Sequence, residues 1–192
     1  MDSRNDGEAG RQYPAPALYA HLPFCRSRCS YCAFASGLYE ESLADAYLEA
    51  LAEELRRRRI FSPSRPPSSV YLGGGTPSAL SLRQLDRLLT LLPAPAEGGE
   101  YSCELNPDSC DPDKLRLLRR RGVNRCSFGV QTVSARGPEF LERGHDAAAA
   151  RRCLEEAGKQ GFASRKSSPG TGWRNPVFPL PPGSAGPPPR HA

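Results

Sequence analysis

The sequence predicts an α/β fold built on a parallel sheet, either an open doubly wound sheet or part of a (β/α) barrel. Two observations carry this. Four strand-like runs alternate with four helix-like ones along the chain, the pattern that gives parallel strands with helices packed against them. The unusual residues also fall just after strand-like runs, on the rim where parallel α/β folds gather their chemistry.

The elements follow in order. Residues 17–22, ALYAHL, read as a first strand and lead straight into a cysteine-rich loop. A helix follows, with Ser42 as its expected cap and Leu43, Ala46, Tyr47, Ala50, Leu51 and Leu55 as its expected apolar face. Glu53 and Glu54 stand four residues before Arg57 and Arg58, the favourable orientation for helix ion pairs. The Pro/Ser cluster 62–68 is a loop, and SSVYL, 68–72, a second strand running into Gly73, Gly74 and Gly75. Ser81 and Gln84 form a capping box that opens a Leu-rich helix stopped by Pro93. EYSCEL, 100–105, is the third strand; Asp111, Pro112 and Asp113 open the next helix, which ends at Gly122. NRCSFGV, 124–130, is the fourth strand, and an Ala/Arg/Leu-rich helix over 146–158 ends near Gly158 or Gly161.

The 192 residues hold one ordinary domain and a formal charge of +5. The basic residues concentrate at Arg56 to Arg59 and at Lys114 to Arg125. Both runs are expected at helix C-terminal turns, solvated and suited to the helix dipole, so no nucleic-acid partner is expected. No stretch has the apolar length of a membrane span. The N-terminal residues mix acids with Arg and have no apolar segment, so a reducing cytoplasm is the expected location. Residues 163–192 are dominated by Pro, Gly and Ser, too little apolar material to offset the entropy of ordering. The expected organisation is therefore a flexible N-terminus over 1–16, a folded unit over 17–162 and a disordered tail over 163–192.

Seven cysteines are many for this length, and an odd number cannot all pair internally. Cys25, Cys29 and Cys32 have the spacing C-x3-C-x2-C. Thiolates suit zinc or iron–sulfur clusters. A structural zinc site closes on four ligands, whereas three thiolates on a tight loop hold three corners of a cubane cluster and leave one iron open. Iron–sulfur, zinc with His21 or a distal Cys, and no metal all stay open on spacing alone. Cys103, Cys110, Cys126 and Cys153 are scattered singly and read as small core residues or bystanders.

The triple glycine permits close backbone approach, so a small polar ligand is expected against exposed N–H groups there. Glu104 and Asn106 close the third strand and Gln131 the fourth; Arg143, Gly144 and His145 precede the last helix. Each has an alternative reading as a loop, turn or cap residue.

Together, LYAHLPFCRSRCSYCAF, VYLGGGTPS, ELNPD and GVNRCSFGVQ, in that order, resemble the N-terminal part of radical S-adenosylmethionine proteins of the oxygen-independent coproporphyrinogen oxidase-like group. The resemblance runs from about Tyr19 to about Gly158. It implies a partial (β/α) barrel of the radical SAM type, truncated after about four strand–helix units, with a [4Fe–4S] cluster on Cys25, Cys29 and Cys32. It also implies that the open iron chelates S-adenosylmethionine, which one electron splits into methionine and a 5′-deoxyadenosyl radical. Position by position, Tyr19, Tyr31, Gly74, Gly75, Thr76, Glu104, Gln131 and Arg143 resemble the family's S-adenosylmethionine contacts.

Coproporphyrinogen dehydrogenases of the group carry a further Cys two residues after the third ligand, where this chain has Phe34. That resembles the HemW type, haem chaperones that bind haem and deliver it to haem-dependent proteins. The implied partners are S-adenosylmethionine, haem or a porphyrin, an electron donor and haem-acceptor proteins. An oxidoreductase of porphyrin biosynthesis is the alternative from the same resemblance, and a zinc-stabilised interaction module is the alternative from another class. The chain is expected to be an N-terminal fragment, with the haem or substrate part absent.

Overall fold

The computed structural model of the chain describes residues 15–29, 32–59, 61–130 and 147–166. A five-stranded, all-parallel sheet runs β1 (Leu18–Leu22), β4 (Ser69–Gly74), β5 (Glu100–Leu105), β6 (Arg125–Phe128) and β7 (Ala163–Lys166), in that spatial order. Between β1 and β4 come a short parallel pair, β2 (Phe24–Cys25) and β3 (Gly37–Leu38), and the helix α1 (Glu41–Arg58). A 3-10 turn (Pro77–Ala79) and α2 (Leu82–Leu91) link β4 to β5; α3 (Pro112–Arg120) links β5 to β6; α4 (Ala147–Lys159) precedes β7.

Each sheet strand lies beside its predecessor, so the right-handed crossovers expected of such units put successive helices on the same face. Neighbouring helices pack side by side, α1 on α2, α2 on α3 and α3 on α4. This is the singly wound arrangement of a barrel wall, which decides between the two sheet types left open by the sequence. Ala20, Leu22, Val70, Leu72, Tyr101, Cys103, Leu105, Cys126 and Phe128 turn to the helices and form the core with Leu85, Leu88, Leu115 and Leu118. The alternate residues face the concave side, and the register aligns Tyr19, Tyr71, Ser102 and Arg125 as one layer across four strands.

The Ser81–Gln84 capping box is present in full, and Asp111 caps α3 by accepting from the Lys114 N–H. The Glu53–Arg57 and Glu54–Arg58 pairs form at 2.6 and 2.7 Å. α1 departs from expectation in two ways. Its N-cap is Glu40 rather than Ser42, whose hydroxyl donates instead to the Glu40 carboxylate at 2.6 Å. Its inward stripe is Ala44, Tyr47, Leu48, Leu51 and Leu55, while Leu43, Ala46 and Ala50 face outward. Apolar residues at i, i+3 and i+4 are consistent with two overlapping stripes on this helix, and packing selects between them: Tyr47 meets Phe24 edge-on and donates to the His21 carbonyl.

The expected tail also loses its first residues to the sheet. Ala163–Lys166 pairs with β6 in parallel register, so among the described residues a further strand follows the fourth, and the boundary expected at 162 falls inside the fold. Gly161, at φ +76°, turns the chain, and buried Phe162 anchors it under the Arg119 guanidinium. ASRK has no β-branched or apolar run to mark it as a strand. Residues 1–14 and 167–192 lie outside the described residues. Among the described residues no helix is long and apolar enough to cross a membrane.

Candidate functional site

The carboxyl ends of β1, β4 and β5 define the site. The cysteine loop leaves β1 and is tied down at both ends. At its start, the Gly37 N–H donates to the Pro23 carbonyl and the Tyr39 N–H to the Cys25 carbonyl, both at 2.8 Å. Phe24 is buried edge-on against Tyr39 and Tyr47, and Tyr39 in turn donates to buried Gln84 of α2 at 2.8 Å. At its far end, the Ala35 carbonyl accepts from His21 Nε2 at 2.9 Å. A carbonyl cannot donate, so Nε2 carries the proton, Nδ1 is the acceptor, and the Tyr19 hydroxyl donates to it at 3.0 Å. Both ring nitrogens are thus engaged, and in this arrangement His21 does not serve as a fourth metal ligand.

Gly74 and Gly75 make the loop's approach possible. Gly74 has φ +109°, and a Cβ there would stand 2.7 Å from two atoms of the His21 ring. A Cβ on Gly75 would stand 2.6 Å from the Phe24 carbonyl oxygen and 3.0 Å from Cys25 Sγ. The Gly75 N–H donates to the Leu22 carbonyl and the Thr76 N–H to the Phe24 carbonyl, each at 2.7 Å. This corrects, at Gly75, the expectation that the glycine N–H groups stand open to a ligand: its N–H, with that of Thr76, holds the cysteine loop. The Thr76 hydroxyl lies 3.7 Å from Cys25 Sγ.

The thiol donor set and this seat fit a soft metal centre. Cys25, Cys29 and Cys32 are free and partly exposed, and the Cys32 N–H donates to the Cys29 carbonyl at 3.1 Å. Among the described residues no three Cys, His, Asp or Glu side chains are gathered closely enough to hold a metal ion; Ser30 and Tyr31, between Cys29 and Cys32, lie outside them. The distal cysteines belong elsewhere. Cys103, Cys126 and Cys153 are buried in the core, and burial pushes the Cys126 thiol up to about 12.

On the concave face, Tyr71 donates to Glu104 at 2.6 Å, and the Tyr19 ring lies 6.0 Å from the Tyr71 ring and 5.9 Å from His21. Burial raises the Tyr71 hydroxyl above its ordinary value, and the bond to Glu104 raises it further. Tyr19 rises for the same first reason, with the Glu104 charge second. Both therefore act as neutral donors beside a carboxylate. Of the sequence-predicted residues, Tyr19 and Glu104 meet in this cluster and Gly74, Gly75, Thr76 and Cys25 in the loop seat. Tyr31, Gln131 and Arg143 lie outside the described residues. Phe34 is exposed at the loop's end.

Sequence reasoning missed Lys114. Expected in a solvated run at a helix C-terminus, it sits in the first turn of α3 and is 3% exposed. Charge patterning alone could not separate it from the exposed Arg119 and Arg120 in that helix's last turn; its place two residues after Pro112, at the helix start, was the only signal.

Comparison with known proteins agrees with this geometry. The heme chaperone HemW of Bacillus subtilis (strain 168) is 34% identical over 150 residues, covering 76% of this chain and 40% of the relative. The oxygen-independent coproporphyrinogen III oxidase of Salmonella typhimurium is 34% identical over 163 residues, covering 82% of this chain and 36% of the relative. Among solved structures, coproporphyrinogen III oxidase (HemN) from Escherichia coli, described as a radical SAM enzyme, superposes with a TM-score of 0.73 at 32% identity, covering 80% of this chain and 37% of that one. The chain thus spans well under half the length of these relatives. The sequence profile of the Radical SAM superfamily, whose members use a [4Fe–4S] cluster and S-adenosylmethionine, matches residues 19–171. That match takes in most of the chain, from the first sheet strand through the last, and this chain belongs to the radical SAM superfamily.

Proposed function

We propose that this chain is the cluster-binding and S-adenosylmethionine-binding part of a HemW-type haem chaperone. Cys25, Cys29 and Cys32 hold a [4Fe–4S] cluster. Tyr19, Tyr31, Gly74, Gly75, Thr76, Glu104, Gln131 and Arg143 line the S-adenosylmethionine site. The observation that carries this reading is the seat of Cys25 on Gly75 and Thr76, which fixes the first thiol on the rim of β4, one strand from Glu104.

The cluster, when bound, supplies one electron for reductive cleavage of S-adenosylmethionine. The chain's own residues bind and orient. His21 and Tyr19 fix the far end of the cysteine loop through Ala35, and Tyr71 holds the Glu104 carboxylate at the end of β5. Glu104 offers an anionic acceptor suited to a hydroxyl pair or an ammonium group.

Haem delivery, with haem-acceptor proteins as partners, is favoured over coproporphyrinogen oxidation by Phe34, which occupies the position of the additional Cys in the porphyrinogen-oxidising type. Seven free cysteines suit a reducing compartment such as the cytoplasm. Anaerobic reconstitution with iron and sulfide tests the first step. The expected result is about four irons per chain with broad absorbance near about 400 nm, lost in Cys29→Ala. A colourless protein that retains zinc instead would overturn the reading. Haem titration of this chain beside a full-length relative tests the second step: haem bound by the relative and more weakly by this chain is the expected outcome, and equal binding by both would overturn the view that the haem part lies outside this chain.

A further inference from the structure

Lys114 is costly where it stands. It is almost fully buried, at the positive end of a helix dipole, and burial lowers its pKa, with the nearby Arg26 charge adding to the effect. Its ammonium donates to the Ser78 carbonyl at 2.7 Å and to the Ser109 carbonyl at 2.9 Å. Beside it runs a closed circuit of hydrogen bonds. The Asn106 N–H donates to Ser78 Oγ at 3.0 Å, the Ser78 hydroxyl to Ser109 Oγ at 2.8 Å, and the Ser109 hydroxyl to the Asn106 carbonyl at 3.3 Å. Among the described residues, Asn106 and Asp108 each also bury a side-chain oxygen without a hydrogen-bond partner. Removing the ammonium would take this donor from both carbonyls, so the buried charge has a structural task, to join the segments that carry them.

The two carbonyls it joins show that task. Ser78 lies two residues after Thr76, whose N–H holds the cysteine loop; Asn106 and Ser109 follow β5 just after Glu104. We propose that Lys114 is a positioning residue for S-adenosylmethionine binding: its ammonium clamps the turn after β4 to the turn after β5, and so fixes the Gly75–Thr76 seat relative to Glu104. This rests on the function proposed above. Lys114 touches neither the cysteines nor Glu104 and acts through the backbone of Ser78 and Ser109.

The test compares three variants of the full chain: Lys114→Met, Ser109→Ala, which breaks the hydroxyl circuit but leaves the ammonium, and Leu118→Ala, a cavity in the same helix as a control for general destabilisation. Amide exchange in the metal-free protein is read first. Lys114→Met is expected to speed exchange of the Gly75 and Thr76 amides about tenfold beyond any global change, which is about 1.4 kcal/mol of local opening; Ser109→Ala does so more weakly and Leu118→Ala not at all. In the reconstituted protein, Lys114→Met is expected to keep its iron and to weaken S-adenosylmethionine binding about tenfold, read from the change in the reduced cluster's electron paramagnetic resonance spectrum. Should Lys114→Met fail to fold, Lys114→Gln, which removes the charge but keeps a donor, takes its place. Wild-type exchange at Gly75 and Thr76 in the folded Lys114 variant, or the same acceleration in Leu118→Ala, would overturn the proposal. A wild-type chain that takes up no cluster would defeat the proposed function, while the exchange pattern would still decide the positioning role.

Discussion

The seat at Gly75 gives a prediction whose size follows from distances. A methyl group in Gly75→Ala would lie 2.6 Å from the Phe24 carbonyl oxygen, 2.9 Å from its nitrogen and 3.0 Å from Cys25 Sγ. Ordinary contact begins at 3.4 Å, so β2 must retreat by about 0.8 Å, and two of the three obstacles are backbone atoms that cannot rotate away. The same retreat stretches the Thr76 bond to the Phe24 carbonyl from 2.7 Å to beyond the useful range. One hydrogen bond at about 1 kcal/mol, with about 2 kcal/mol of overpacking, costs about 3 kcal/mol. For a chain of this size that lowers Tm by about 6–12 °C. The assay is thermal unfolding of the metal-free protein by circular dichroism, followed by iron content after reconstitution, which should fall as Cys25 is displaced. Gly37→Ala is the control, because a Cβ there meets nothing within 4 Å; it should stay within about 0.5 kcal/mol of wild type. A Gly75→Ala protein that melts within about 2 °C of wild type and takes up full iron would refute the reasoning.

Gln84 is fully buried, donates to the Glu41 carbonyl and to Asp45, each at 3.0 Å, and accepts from Tyr39. Gln84→Ala should therefore cost about 2–4 kcal/mol in urea unfolding, and a loss under about 1 kcal/mol would show that the links to α1 and the cysteine loop are dispensable. Tyr71 carries a pH dependence. Its folded value lies above the ordinary 10.0, so between the two the unfolded chain loses the phenol proton while the folded chain keeps it. Its contribution is full below about pH 10 and is lost as pH rises above that. Urea unfolding at pH 9 and at pH 11 should show a decline that is shallower in Tyr71→Phe, and an unchanged slope would assign the decline to the other raised phenols, Tyr19, Tyr47 and Tyr101.

The sheet strands were legible because their apolar residues alternate against a helix-covered face; EYSCEL falls on β5 residue for residue. The caps at Ser81 and Asp111 were legible because they are local chemistry. The α1 stripe was not, since two stripes one residue apart satisfy the same spacing and only tertiary contact with Phe24 separates them. β7 was missed because backbone pairing needs no apolar signature. At the site, type and spacing singled out the cysteines, the glycines and Glu104 as candidates, but the partners of those groups lie on other strands. That Gly75 and Thr76 spend their N–H groups on the β1–β2 segment, that His21 uses both nitrogens, and that Lys114 is buried all follow from contacts between segments distant in sequence.

The two faces of the sheet also set a rule for sequence variation. Along β5, Tyr101, Cys103 and Leu105 meet the helices while Glu100, Ser102 and Glu104 look the other way. The register carries that parity sideways through Tyr19, Tyr71, Ser102 and Arg125. A saturation scan should therefore show tolerance with a period of two residues down each strand and in step across neighbouring strands, with polar replacements accepted only in the rows that face the lumen.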